Sequence, residues 1–338
     1  MPDDQFDLDI LQRYLARQVP QTGQLQSVEK FSDGQSNPTF LLNCSSGRFV
    51  LRRQPPGELL QSAHAVDREF RVTEALQHSE VPVARAIHLC EDRDVIGSLF
   101  YIMSYEPGRI FWDPTLPKLD KAQRLAIYGE MNRVLAALHD IDVDAVGLAD
   151  FGRPGNYFER QVSRWSRQYR ASEIDPIPAM DRLIEWLPQN LPPDDGKVSL
   201  IHGDYRIDNI IFDDARARAK AVLDWELSTL GHPYADLAYQ CMQWRMDRDC
   251  VIPGLGAIDR GALGIPNERD YVAQYCERRG LDAIPDWDFY LVFGFFRFAA
   301  ILQGVLKRAL DGNASSEKAF AYGALAPVLA RMAVELID

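Results

Sequence analysis

The sequence predicts an α+β protein of two lobes, a small β-rich lobe over residues 1–106 and a larger helical lobe over 107–338. Three observations point there. Early in the chain, short apolar or β-branched runs alternate with turn signals. Past a break at Glu106-Pro107-Gly108, apolar residues recur at helical spacing. A length of 338 residues also exceeds what one minimal core organises.

In the first lobe, Val28 to Phe31, Thr39 to Cys44 and Arg48 to Arg53 read as strands, separated by Asp33-Gly34, Asn37-Pro38 and Ser45-Ser46-Gly47. Ala65 to Gln77 spaces Val66, Phe70, Thr73 and Leu76 as a helix does. Ser98 to Tyr105 reads as a further strand, and Pro107-Gly108 as an interlobe hinge. Beyond it, Lys121 to His139 repeats Leu125, Tyr128, Met131, Leu135 and Leu138 in an amphipathic pattern. Helices are also expected over Asn156 to Arg170, Ala179 to Leu187, Pro233 to Met242, Glu268 to Arg279, Asp286 to Leu310 and Phe320 to Leu336. Among them, short strands return at Ser199 to Ile201, Ile210 to Phe212 and Ala221 to Leu223, giving the helical lobe an embedded hairpin.

Composition narrows the classes. Apolar residues make up 46% and charged residues 25%, ordinary for a globular chain. No apolar run approaches the roughly 20 residues of a membrane span, and the most apolar, Leu291 to Phe296, is cut by Arg297. The acidic start lacks the basic and apolar regions of a secretory leader, so the cytoplasm is expected. Five scattered cysteines, none in a C-x-x-C pair, suggest neither disulfides nor zinc. A net charge of −12 disfavours nucleic acid and anionic membrane as partners. It leaves room for a local nucleotide site in which magnesium offsets the phosphate charge.

The chemistry is concentrated in Ile201-His202-Gly203-Asp204-Tyr205-Arg206-Ile207-Asp208-Asn209-Ile210. This stretch keeps the H-R-D-x-x-x-x-N spacing of a kinase catalytic loop, with Gly203 in place of arginine. Phosphoryl transfer needs a carboxylate to orient and deprotonate the attacking hydroxyl, and ligands that hold magnesium on the phosphates. Asp204 fits the first role and Asn209 the second. Fifteen residues after Asn209, the run Ala221-Val222-Leu223-Asp224-Trp225-Glu226 ends an apolar strand in an acid. Asp224 is placed as a second magnesium ligand, since magnesium takes hard oxygen donors.

Together with Gly231-His232-Pro233-x-x-Asp236-Leu237-Ala238, these motifs resemble the aminoglycoside phosphotransferase and choline kinase superfamily. Phe49 to Gly57, Ser62 to Glu69 and Leu223 to Thr229 are similar to one branch of it, the kinase-like domain of acyl-CoA dehydrogenase family members ten and eleven. The resemblance runs from about Val28 to the last helix. It implies a protein-kinase-like two-lobed fold and an ATP- and Mg2+-dependent small-molecule kinase. Asp33 to Asn37 then stands where the phosphate loop does, with Ser36 and Asn37 offering donors to the phosphates. No lysine occurs between Phe31 and Pro117, so the basic residue of the third strand must be an arginine. Strand alternation puts Val50 and Arg52 on one face and Arg53 on the other. Val50 is expected beneath the adenine and Arg52 at the phosphates, with Arg53 as the alternative. Glu69 is the expected partner of Arg52, and Met103 and Tyr105 flank the backbone that meets adenine. Asp236 is expected to fix the loop near His202, His139 and His232 to be structural, and Glu226 to sit just outside the metal ligands.

The acceptor is less legible. Gly108 to Trp112, Tyr157 to Tyr169 and Phe293 to Gln303 are candidate surfaces. Arg160, Arg164, Arg167 and Arg170 recur at helical spacing beside Trp165 and Tyr169, a basic face that could meet an anionic acyl-CoA tail. The branch implies a 4-hydroxyacyl-CoA phosphorylated on its acyl-chain hydroxyl, and a functional pairing with an acyl-CoA dehydrogenase for which these residues leave no room. The alternatives are a kinase of an amino sugar, a choline-like alcohol or another metabolite, and a catalytically silent nucleotide-binding module.

Overall fold

The computed structural model of the protein describes residues 6–31, 37–55, 65–312 and 319–338. Along the chain run α1 (Leu8–Gln18), β1 (Leu25–Lys30), β2 (Thr39–Cys44), β3 (Gly47–Arg53), α2 (Val66–Leu76), β4 (Ala86–Cys90) and β5 (Phe100–Ser104). Then come α3 (Lys121–His139), α4 (Tyr157–Ser172), α5 (Pro178–Gln189), β6 (Ser199–Ile201), β7 (Ile210–Phe212), β8 (Ala219–Val222) and β9 (Thr229–Gly231). The last are α6 (Pro233–Cys241), α7 (Arg260–Leu263), α8 (Glu268–Arg278), α9 (Trp287–Leu310), α10 (Ala319–Gly323) and α11 (Ala326–Val334). These elements form two compact units: Met1–Arg109 with Ile210–Leu227, and Ile110–Asn209 with Ser228–Asp338.

The first unit is built on an antiparallel sheet ordered β1-β2-β3-β5-β4. Alternation along β3 sends Phe49 and Leu51 to one face and Val50 to the other. On the first face they join Phe40, Leu42, Phe100 and Ile102 beneath Leu11, Leu15 and Val19. The sequence reading lacked α1, whose signals are short: Leu11 and Leu15 four apart, and Asp7 as its cap. The Asp7 carboxylate accepts from the Asp9 and Ile10 amides at 2.8 and 3.1 Å. On the second face Val50, Tyr101 and Met103 pack with Val66 of α2 and with Ala84. The β7–β8 hairpin belongs to this unit. Arg109 and Phe212 exchange both backbone hydrogen bonds at 2.8 Å, and the Val222 amide donates to the Pro82 carbonyl at 2.8 Å.

The second unit is mostly helical. A capping box between Asp120 and Gln123 starts α3 where the pattern predicted. Two short strands, β6 and β9, pair antiparallel and bracket the loop that carries Asp204. By length and composition α9 could cross a membrane, yet 78% of its most apolar window is buried inside the fold. The charge that interrupts its apolar run, Arg297, is itself buried. The single helix expected over Phe320 to Leu336 is two helices, because Pro327 opens α11 and cannot extend a preceding helix. All five cysteines are free thiols, and all but Cys250 are buried.

At the break after β5, Gly108 is held by close approach. A Cβ there would lie 2.3 Å from the Phe212 carbonyl oxygen, a backbone atom that cannot rotate aside. Gly108→Ala is expected to lower the unfolding free energy by about 1–3 kcal/mol. Urea denaturation measures it, and an unchanged midpoint would mean that the hairpin yields at no cost.

Candidate active site

In the first unit the site grows from β3. Arg52 Nη2 donates to Asp224 Oδ1 at 2.6 Å, and Arg52 Nε lies 2.8 Å from Glu69 Oε2. Glu69, on α2, is 1% exposed. Its Oε1 accepts from Asn37 Nδ2 at 2.7 Å and its Oε2 from the Tyr101 hydroxyl at 3.2 Å. One guanidinium thus bridges two carboxylates from separate elements. Burial alone would push the Arg52 guanidinium down, but the Glu69 carboxylate, with Tyr101 and Asp224, carries it above its ordinary value. Burial raises the Glu69 carboxyl, opposed by Arg52 and the Asn37 amide.

Asp224 follows β8 in a left-handed conformation, φ 64°. Aspartate tolerates that region better than most residues, and such strain tends to mark functional positions. The turn Trp225–Leu227 that follows packs on α2. It brings carboxylate oxygens of Glu69, Asp224 and Glu226 within 4.8 Å of one another. Arg53 points to the opposite face of the sheet, where Nη1 donates to the Ile96 carbonyl at 3.4 Å and the guanidinium lies over Phe6. The alternation therefore selects Arg52 as the arginine beside the acids. Met103 shares a face with Val50, and Arg48 lies over the Tyr105 ring at 4.1 Å. Ser36, with the rest of the expected phosphate loop up to Asn37, lies outside the described residues.

In the second unit the site grows from the loop after β6. Buried Asp236, in the first turn of α6, accepts from the His202 amide at 2.6 Å through Oδ2 and from the Gly203 amide at 2.8 Å through Oδ1. The Asp204 amide donates to His202 Nδ1 at 3.2 Å, so the imidazole is a brace inside the loop. Gly203 has φ 84°, a value that favours glycine at this position of the motif. Asp204 Oδ1 accepts from the Tyr239 hydroxyl at 2.6 Å, with Arg206 Nε 3.4 Å away. Asn209 Nδ2 donates to the Asp204 carbonyl at 2.9 Å and to Oδ2 at 3.1 Å.

Tyr239 is not among the residues the sequence points to, and Arg297 enters there only as the charge that cuts an apolar run. A signal for Tyr239 was available: it lies three residues after Asp236, on the same side of α6. Arg297, the one charge between Asp288 and Lys307 in α9, donates through Nη2 to the Gly203 carbonyl at 2.9 Å.

The donor chemistry suits magnesium. In the first unit Glu69, Asp224 and Glu226 bring hard oxygens together, and in the second Asn209, whose Nδ2 donates to Asp204, carries an amide oxygen of the same donor class.

The fold is that of the kinase-like aminoglycoside phosphotransferases. A Ralstonia eutropha protein described as a candidate aminoglycoside phosphotransferase superposes with a TM-score of 0.90 at 48% identity, over 98% of each chain. A thermostable mutant of an aminoglycoside phosphotransferase solved with ADP and hygromycin B superposes at 0.64 with 14% identity, over 96% of this chain and 98% of that one, a likeness of fold alone. Residues 27–289 match the phosphotransferase enzyme family, and the chain belongs to that family. Acyl-CoA dehydrogenase family member 10 of Mus musculus is 46% identical over 328 residues, covering 96% of this chain and 30% of that protein. The chain thus spans less than half the length of such curated relatives.

The buried histidines set a pH dependence. Burial pulls His139 and His232 below the ordinary imidazole value, opposed in His139 by Asp236 and in His232 by Asp195. Below about pH 6.5 the unfolded chain binds protons that these folded imidazoles resist, so stability falls as pH falls. Urea unfolding at pH 7.5, 6.5, 5.5 and 5 is expected to show this loss, at most about 1.4 kcal/mol per pH unit for each histidine. A flat profile over that window would contradict neutral buried imidazoles.

Proposed function

We propose that the protein is an ATP- and magnesium-dependent kinase acting on the hydroxyl of a small molecule, a 4-hydroxyacyl-CoA. The observation that carries this reading is the Asp204 carboxylate, gripped at one oxygen by Tyr239 and at the other by Asn209 within the His202-Gly203-Asp204 loop. Such a carboxylate can accept the proton of an acceptor hydroxyl as its oxygen attacks the γ-phosphorus and ADP departs. Arg52, drawn toward Asp224 and Glu69, is the cation assigned to the phosphates, with Ser36 and Asn37 as further donors. Residues 1–106 are assigned to nucleotide binding, with adenine against Val50 and the backbone from Met103 to Tyr105. Residues 107–338 are assigned to catalysis and the acceptor. Asp224 and Asn209 would ligate magnesium, which when bound neutralises charge on the phosphates.

The names of the curated relatives motivate an acyl-CoA acceptor and a functional pairing with an acyl-CoA dehydrogenase. On α4, Arg164 lies over the Trp165 ring and Arg167 is exposed, a surface fit for an anionic tail. The neighbouring Arg160 and Arg170 are committed locally, Arg160 to the Arg153 and Pro154 carbonyls and Arg170 to Glu173 and Asp181. The cytoplasm is the compartment this reading assigns.

Incubation with ATP, magnesium and a panel of 4-hydroxyacyl-CoAs, amino sugars and choline tests the substrate. Transfer confined to amino sugars would overturn the acyl-CoA assignment. Asp204→Ala is expected to reduce transfer by about 100-fold or more while MgATP still binds. Asp224→Ala should weaken metal-nucleotide binding itself, and equal losses of affinity in both variants would contradict these roles. Arg52→Ala should weaken ATP binding more than Arg53→Ala, whose burial against Phe6 and Ile96 predicts a loss of stability without a loss of ATP affinity.

A further inference from the structure

We propose that Tyr239 and Arg297 are positioning residues that together fix the Asp204 carboxylate and the peptide that precedes it. The proposal rests on the reading of Asp204 as the base.

Both backbone groups of Gly203 are held by charged side chains. Its N–H donates to Asp236 Oδ1 at 2.8 Å, and its carbonyl accepts from Arg297 Nη2 at 2.9 Å. One residue on, the two oxygens of Asp204 accept from different elements: Oδ1 from Tyr239 of α6 at 2.6 Å, Oδ2 from Asn209 at 3.1 Å. A carboxylate bonded at both oxygens has lost its rotational freedom but keeps a lone pair on each for an incoming hydroxyl.

Tyr239 is itself held. The Arg297 guanidinium lies over its ring at 5.5 Å, and Phe298 meets that ring edge-on at 5.7 Å. The same guanidinium lies over Trp165 at 5.7 Å, so α4, α6 and α9 meet around one cation. Arg297 is only 6% exposed, and among the described residues it donates to this carbonyl and lies over these two rings. A desolvated guanidinium is costly when no carboxylate neutralises it at contact distance. An apolar residue would fill this stretch of α9 at lower cost. What a planar cation adds is a rigid link between the ring that orients Asp204 and the carbonyl just before it. Within the same loop Arg206 Nε stands 3.4 Å from Asp204 Oδ1, while its Nη2 pairs with Asp208 at 2.7 Å.

The test compares wild type with Tyr239→Phe, which keeps the ring and removes the hydroxyl, and Arg297→Lys, which keeps the charge and removes the fork. Phosphate release from MgATP with water as acceptor reads turnover, and nucleotide fluorescence titration reads binding. Each variant is expected to lose about ten- to hundredfold in kcat, the scale of a misplaced reacting group, with Kd for MgATP unchanged within twofold. In an Asp204→Ala background Tyr239→Phe should cause no further loss, which a merely structural role would not predict. A kcat within twofold of wild type, or losses that multiply in the double variant, would overturn the proposal. If wild type neither hydrolyses ATP nor transfers phosphate, the kinase reading has failed, and the crystal structure of Tyr239→Phe reads the positioning claim independently. There a displaced Asp204 carboxylate supports it, and an unmoved one overturns it.

Discussion

The first unit depends on one cation between acids. Arg52 reaches Asp224 with one nitrogen and Glu69 with another, and the carboxylate of Glu226 lies within the same small volume. Removing the guanidinium would leave Glu69 buried without a counter-ion, a change that costs about 3–5 kcal/mol in comparable pairs. A lysine in its place would supply a point charge, whereas arginine supplies a planar fork that spans two partners. The identity of this residue therefore couples the sheet, through β3, to α2 and to the strained turn at Asp224.

In the second unit the corresponding anchor is negative. Asp236 receives the two amides that open the loop carrying Asp204, and His139 and Tyr275 extend that network into the core. Burial would raise the Asp236 carboxyl, but the hydrogen bonds it accepts from the His139 side chain and the His202 amide hold it below its ordinary value. The loop is thus organised around a buried anion and presents a second, partly exposed carboxylate, Asp204. Two acids a loop apart acquire different roles because one is enclosed by donors and the other keeps access to solvent.

Much of this was legible in the residues. The spacing of His202, Asp204 and Asn209 and the acid at the end of β8 are local patterns, and local patterns survive in a linear text. Strand alternation was enough to separate Arg52 from Arg53, since a pleated strand leaves no third choice. Long-range pairing was harder to read. The bond from Tyr239 to Asp204 spans 35 residues, with only the spacing from Asp236 to hint at it, and Arg297 reaches Gly203 across 94 residues. The missed α1 is short and carries only two fully buried leucines, too few repeats for periodicity to stand out. The split before α11 was readable from Pro327 and was overlooked because apolar spacing continued across it.

In the proposed function Asp224 and Asn209 serve one magnesium ion while Asp204 serves the acceptor. A crystal structure with magnesium and a non-hydrolysable ATP analogue tests it most directly. Asp224 and Asn209 oxygens are expected about 2.0–2.1 Å from the metal, with the Asp204 carboxylate outside that shell and turned toward the γ-phosphate. A metal ligated by other side chains, or Asp204 among its ligands in place of Asn209, would contradict it.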